Sequence, residues 1–419
     1  MNRLIEDALA NNPGLSEALA RVRGAQARAQ AVGATTQPSV TLDGDEVRQR
    51  FSENFYIPPP YGGSQYWVGQ VTANLNWTLD FWGRQADLIR QANLQARGAL
   101  LDQAAARLAL SGALAQTYCD LYRAYALADI ATQSEQQRTT LLKLTRDRVR
   151  AGLDSQLEVR NAEALLPQAR AARLQAESAR DLAVHQLAAF SGRGADAYAS
   201  IVRPRLVADA ALPLPEQLPI DLLARRPDVL AARARVDAAT AGRAGAREAF
   251  YPDVSLRAFA GYQSLDLDNL FDAGSGVWGI GPSIHLPLFD SQRLRANYLG
   301  ATAELDAVIA SYNQTVLNAV REVADQITLS QSLAWQLAQS QLTLDASEAA
   351  YALAQRRYAA GLTSQIVVLD AESRVLNARR DVVSLRTSLA IAHITLLVSV
   401  GGTFDPSTPD TVTVAGALQ

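Results

Sequence analysis

The chain has 419 residues, enough for one large core or for two or three domains, and a formal charge of −3 that gives no electrostatic reason to expect nucleic acid. Aromatic residues make up only 6% of it and alanine fills its helical stretches, which suits slim, closely packed helices. The one cysteine, Cys119, has no internal disulfide partner, and His185, His285 and His393 stand apart, so neither a metal centre nor a cofactor is expected.

Met1 leads straight into a polar, helical stretch with no visible export signal, and no run of about eighteen apolar residues follows. The best candidate, residues 389–400, is short and broken by His393, Thr395 and Ser399. Residues 3–10 and 15–33 read as two helices. Pro38 ends them, and Ser39-Val40-Thr41-Leu42-Asp43 begins to alternate. A longer alternation follows. Trp67, Gly69, Val71, Ala73, Leu75, Trp77 and Leu79 fall on one face, with Val68, Gln70, Thr72, Asn74, Asn76 and Thr78 on the other. Period two predicts strands at about 39–47 and 66–79, with a Pro/Gly-rich loop over 51–63.

From Arg84 to Arg150 there is no proline, and a continuous helix of that length at 1.5 Å per residue would be roughly 100 Å long. Leu94, Leu101, Leu108, Ala115 and Tyr122 recur every seven residues, the spacing of coiled-coil packing. Gly152 should stop this helix, and Ser155 with Glu158 has capping-box spacing for the return helix to about Phe190. Pro167 should kink or divide that return helix.

Residues 203–219 read as a linker, and the pattern then starts again. Strands are predicted at about 253–263 and 277–288, the second with Trp278, Ile280, Pro282, Ile284 and Leu286 on one face. A long helix runs from about Arg293 to Ala359, with Ile309, Val316 and Val323 in heptad spacing. It ends at Gly361; Thr363 or Ser364 can cap its partner, which runs to about Val400, and residues 403–419 form a tail. Gly152 and Gly361 lie 209 positions apart (361 − 152), and Arg84 and Arg293 share that offset (293 − 84). The chain is therefore predicted as a duplication, residues 1–202 and 220–402, each half two strands followed by a long helical hairpin.

Four strands cannot close on themselves, and transmembrane barrels start at about eight, so closure demands several chains. Trp67, Trp77 and Trp278 on the apolar face are the residue type that anchors a barrel at membrane interfaces. The competing readings are a soluble β-sandwich or a soluble coiled-coil scaffold or stalk. An enzyme is the weakest, because there is no Gly-rich phosphate loop or nucleophile elbow.

Three stretches carry a resemblance: Trp77-Thr78-Leu79-Asp80-Phe81-Trp82-Gly83-Arg84, the segment 218–229 with Arg225-Arg226-Pro227-Asp228, and the paired turns at Gly152 and Gly361. Together they resemble the outer membrane efflux protein family of the TolC type, closest to its lipoprotein branch. The resemblance implies a mainly α protein with β: a homotrimer with a twelve-stranded outer membrane β-barrel continued by a twelve-helix periplasmic α-barrel. It implies outer membrane lipid, a periplasmic membrane-fusion adaptor and an inner-membrane pump of the RND type or similar as partners. The activity implied is passive export of drugs or other small solutes, with no reaction catalysed. Such proteins are exported with a signal peptide, and the lipoprotein branch carries an acylated N-terminal cysteine. Cys119 lies too deep in a helix for that, so the expectation is a start truncated downstream of both.

The resemblance also implies residue roles. Tyr358 and Glu158 take the positions of a bond that holds the periplasmic gate, and Asp370 that of a carboxylate ring at its constriction. A second ring position is Val367, and an arginine that locks some relatives is replaced by Thr363. Gly152, Leu153, Gly361 and Leu362 are the expected adaptor-docking tips, with the leucines exposed. Trp67, Val71, Leu75, Trp77, Trp278 and Ile280 are expected to face lipid, and Thr72 and Asn74 water.

Overall fold

The computed structural model describes residues 2–54, 60–205 and 225–402. Most of the expected linker, the first part of the 218–229 segment and the tail after Gly402 lie outside the described residues. The elements are α1 (Asn2–Asn11), α2 (Pro13–Ala34), β1 (Ser39–Arg50), β2 (Gln65–Leu79), α3 (Arg84–Arg150) and α4 (Gln156–Phe190). A 3-10 turn at Gly194–Ser200 follows, then α5 (Pro227–Glu248), β3 (Asp253–Ser264), β4 (Gly276–His285), α6 (Ser291–Ala359) and α7 (Gln365–Ser399). The described chain is mostly helical, with one four-stranded sheet. It divides into two compact units: Met1–Leu19 with Leu101–Leu230 and Gln314–Gln419, and Ala20–Leu100 with Ala231–Asn313. Each unit draws on both sequence repeats.

The second unit holds the sheet, antiparallel throughout in the order β1-β2-β3-β4. Directly opposed residues share a face, and the register sorts the side chains sharply. Leu42, Ala73, Ala260 and Trp278 lie in one row, and Val40, Leu75, Ala258 and Ile280 in the next. The other face collects Thr41, Asn74 and Phe259, with Asp43, Thr72 and Gly261 beside them. Along β4 burial is inverted relative to a soluble protein. Trp278, Ile280, Pro282 and Ile284 are exposed, while Val277, Gly279, Gly281 and Ser283 are half-buried. Among the described residues β1 and β4 each keep one unpaired edge.

Local chemistry sets the details. A Cβ on Gly261 would stand 2.1 Å from the Val71 carbonyl oxygen, so only glycine allows β2 and β3 to approach so closely there. The Phe259 ring covers Gly279. Beside Gly261, Thr72 is only 2% exposed, its hydroxyl accepting from the Gln70 and Asn74 amides at 3.3 and 3.2 Å. Thr72 is therefore packed within its face and not the freely wetted residue expected from alternation. β1 runs further than expected, to Arg50, and β4 stops at His285 because Pro287 has no N–H for the ladder.

The expected motif at the end of β2 joins strand to helix. Asp80 Oδ2 accepts from the Ala86 N–H at 2.9 Å and so caps α3, while Gly83 turns the chain at φ +87°. Trp82 stacks on Tyr251 at 5.2 Å and donates to the Pro252 carbonyl at 2.9 Å, and Arg84 pairs with Asp253 at 3.3 Å. One short motif thus fastens the first repeat's strand–helix corner to the second repeat's helix–strand corner.

In the first unit, α1 packs on α3, α4 and the 3-10 turn through Ala8, Leu114, Leu121, Leu187 and Ile201. The buried seam of α3 keeps heptad spacing at Leu114, Leu121 and Ala128. It runs one residue ahead of the expected stripe, in which Tyr122 is only half-buried. The helix must face neighbours on more than one side, and Ala115 is buried as well. α4 is not divided: it continues through Pro167, with Val159, Ala162 and Ala169 buried on either side of the missing hydrogen bond. Cys119 is buried, and burial, with the nearby Asp120 carboxylate, pushes its thiol up to about 11. By length and composition α7 is long and apolar enough to cross a membrane, which the residue-by-residue count did not anticipate. Its seam of Val368, Val375, Val382, Ala392 and Leu396 is nevertheless buried.

Candidate functional site

Both helical hairpins turn in the same way. Leu153 N–H bonds to the Arg148 carbonyl at 2.9 Å and Gly152 N–H to Val149 at 3.0 Å, with Gly152 at φ +72°. Leu362 N–H bonds to Arg357 at 2.9 Å and Gly361 N–H to Tyr358 at 3.0 Å, with Gly361 at φ +77°. This pairing consumes the last helical carbonyls and needs the left-handed conformation that glycine reaches without strain. Past the first turn, Ser155 and Glu158 close a reciprocal cap on α4, holding the Glu158 carboxyl below its usual range chiefly through the Ser155 hydroxyl. Ser364 sits at the cap position of α7, but its side chain accepts no capping bond. Gln365 replaces it as the organising residue there.

Between the two turns lies a buried polar latch. The Tyr358 hydroxyl donates to Asp154 Oδ2 at 2.7 Å, and Arg148 Nε donates to the same oxygen at 2.7 Å. Arg148 Nη1 donates to the Tyr358 carbonyl at 2.7 Å, and its guanidinium lies 4.4 Å from the Tyr358 ring centroid. Gln365 Nε2 donates to Thr145 Oγ1 at 2.7 Å, which itself lies 3.4 Å from the Tyr358 hydroxyl. Tyr358 is 1% exposed, and Leu141, Ala354 and Val368 close the latch on its apolar side. Arg148 and its hydrogen bond hold the Asp154 carboxyl well below the usual carboxylate range, while burial raises the Tyr358 phenol. The end of α3, the first turn, the end of α6 and the start of α7 are thereby tied together.

The expected partner of Tyr358 was Glu158; the structure brings it to Asp154 instead. Glu158 is committed to its own cap, and Asp154 lies in the turn itself, nearer the end of α6. Arg148, Asp154, Thr145 and Gln365 were missed. A signal existed for one: Arg148 and Arg357 occupy equivalent positions, and the partner acid is present only in the first copy, since Thr363 stands where Asp154 would be. Asp370 is exposed and pairs with Arg374 at 2.8 Å, one helical turn on. Val367 and Ile366 are exposed beside it. Leu153 and Leu362 are 63% and 73% exposed at the two turns, with no apolar cover from the described chain.

The outer membrane efflux protein model matches residues 4–193 and 218–402, which is most of the chain. The chain belongs to the outer membrane efflux protein family. Among relatives of this efflux protein, the solvent efflux pump outer membrane protein SrpC of Pseudomonas putida is 32% identical over 404 residues, covering 96% of this chain and 84% of that one. The fusaric acid resistance protein FusA of Burkholderia cepacia is 37% identical over 302 residues, 71% of this chain, and the match spans only 57% of FusA. Among solved structures, the outer membrane protein VceC of Vibrio cholerae has a TM-score of 0.88 at 33% identity, with 96% of each chain covered. The compartment of this efflux protein is the outer membrane, and its neighbours in fold are TolC-type channels.

Near the latch, the efflux protein buries a second charge pair. Arg138 on α3 and Glu372 on α7 meet at 3.2 Å with Glu372 only 1% exposed, and among the described residues one oxygen of Glu372 and one nitrogen of Arg138 have no partner. Burial, only partly offset by Arg138, raises the Glu372 carboxyl, and burial beside Glu372 pushes the Tyr351 phenol up to about 12. The two carboxyls respond oppositely to pH. Asp154 is depressed, so its contribution is complete above the ordinary aspartate value of about 3.9 and is lost as pH falls through the depressed value. Glu372 is raised, so its contribution is complete below the ordinary glutamate value of about 4.3 and is lost as pH rises through the raised value. Protection of the turn amides from hydrogen exchange, taken relative to the intrinsic rate at each pH, should therefore fall below about pH 4 in the wild type, and that acid limb should vanish in Asp154→Asn. An acid limb that survives the substitution would assign the loss to another group.

Proposed function

We propose that this protein is the outer membrane duct of a multi-part efflux system, a passive homotrimer that carries small solutes outward and catalyses no reaction. The observation that carries it is the inverted sheet: exposed Trp278, Ile280 and Ile284 on one face, polar side chains on the sheltered face, and an unpaired edge on β1 and on β4. A soluble sandwich would bury the apolar face. Joining β4 of one copy to β1 of the next removes both edges, and three copies give twelve strands. Trp67 and Trp77 support the membrane depth. They share a face ten residues apart, about 33 Å along a strand, or about 25 Å of height at a tilt near 40°, matching the apolar band of outer membrane barrels. Aromatic side chains also gather at the helix-side end of the sheet, where Phe81, Trp82, Phe250 and Tyr251 are all exposed.

In this reading the long hairpins form the periplasmic tunnel, with the latch of Arg148, Asp154 and Tyr358 holding its tip narrow at rest. Asp370 supplies one carboxylate per chain at the constriction and governs which ions pass. The partners are a periplasmic adaptor and an inner-membrane pump of the RND type or similar. FusA is named for resistance to fusaric acid and SrpC for solvent efflux, so amphipathic small molecules are the substrate class we infer. Leu153 and Leu362 are the residues offered to the adaptor. Leu153→Asp combined with Leu362→Asp should abolish efflux-dependent resistance while the trimer still assembles and inserts. Unchanged resistance in that double variant would move the docking site elsewhere.

A further inference from the structure

The outer end of the β1–β2 hairpin, the end away from the helices, holds an arginine that pairs with no carboxylate among the described residues. On β1 the lipid-side face runs Val40, Leu42 and Gly44, then turns to Glu46, Arg48 and Arg50. Arg50 is occupied, donating to the Gly63 carbonyl at 3.1 Å and to Glu53 at 3.2 Å. Arg48 is not. Its guanidinium lies 5.8 Å from the ring centroid of Trp67, its direct partner across the strands, and among the described residues no carboxylate pairs with it. Glu46 shares the face, one pleat repeat inward and roughly 7 Å away along the strand.

We propose that Arg48, backed by Trp67, binds the phosphorylated headgroup of a lipid in the outer leaflet, once per chain. The inference rests on the barrel reading and names a ligand for its outer rim. A tryptophan ring half-exposed on the lipid-side face marks headgroup depth. A planar guanidinium held against such a ring keeps its outer N–H groups free, and phosphate is the anion at that depth that accepts two of them side by side. Ring and cation stand at one level of the sheet, so the same depth offers the ring the boundary of the acyl chains and the cation the phosphate.

The test is native mass spectrometry of the detergent-purified full chain with a bisphosphorylated lipid A and its dephosphorylated counterpart at equal concentration. Wild-type trimer should retain up to three of the phosphorylated lipid and prefer it by about tenfold or more, as expected for a charge-assisted bidentate contact. Arg48→Gln should lose that preference, Arg48→Lys should recover part of it, and Arg50→Gln should leave it intact. Equal retention by wild type and Arg48→Gln, or equal retention of the two lipids by wild type, overturns the site. Displacement by millimolar inorganic phosphate would mark a free-anion site and overturn the lipid assignment. A chain that forms no trimer would remove the barrel reading and the site together, whereas trimers indifferent to the phosphate remove the site alone.

Discussion

Arg148→Ala should leave the duct open far more often, by about a hundredfold in single-channel recordings. Among the described residues Arg148 is the one cation on Asp154, and both side chains are nearly buried, so truncating it strands a carboxylate among Tyr358, Thr145 and apolar side chains. Breaking a buried pair from one side costs about 3–5 kcal/mol. The lower end of that range corresponds to about a hundredfold shift at 1.4 kcal/mol per decade. Arg148 also holds the Tyr358 carbonyl at the end of α6, so the same change releases the second turn. Tyr358→Phe removes one charge-assisted bond worth about 1.5–3 kcal/mol and should open the tip about tenfold. Asp370→Asn should act differently, lowering cation preference and divalent block with little change in open probability, because among the described residues Asp370 pairs with Arg374 on its own helix and ties no second hairpin. Closed channels in Arg148→Ala would show that the latch is packing and not a gate.

Ile280→Arg should cost the assembled barrel about 2–4 kcal/mol, the penalty for a cation near the middle of the lipid-facing band. The fair control is Thr41→Arg, exposed on the polar face opposite Asn74 and beside the Asp43 carboxylate, which should be near neutral. Thr72→Arg is not a control. It would force a long side chain into the packed contact among Gly261, Gln70 and Asn74 and should disrupt the β2–β3 pair whichever face meets lipid. Refolding into vesicles across a urea series reads the difference. Equal losses for Ile280→Arg and Thr41→Arg would contradict the assignment of faces.

Much of the fold was legible because it is periodic. Alternation over 67–79 fixes a strand and its faces, and a run without proline from Arg84 to Arg150 fixes a helix. The turns were legible because Gly152 and Gly361 each do something only glycine does cheaply. What escaped were effects of neighbours. Thr72 looks like any polar strand residue until Gly261 is placed beside it. Pro167 reads as a breaker until its helix is seen packed on both sides of the gap. The Tyr358 bond was assigned to the wrong acid because two carboxylates, Asp154 and Glu158, stand four positions apart in one turn, and spacing cannot tell a cap from a cross-hairpin bond. Arg138 and Glu372 are 234 positions apart (372 − 138), so no local pattern pairs them.

The central claim is that this chain completes its sheet only by joining copies of itself in a membrane. Native mass spectrometry of the full chain, extracted from outer membranes in mild detergent, tests it most directly. A species of three copies is expected, about 135 kDa from a 45.0 kDa chain, that is lost to aggregation when detergent is removed and that conducts ions when placed in a planar bilayer. A monomer or dimer that stays in solution without detergent would contradict it.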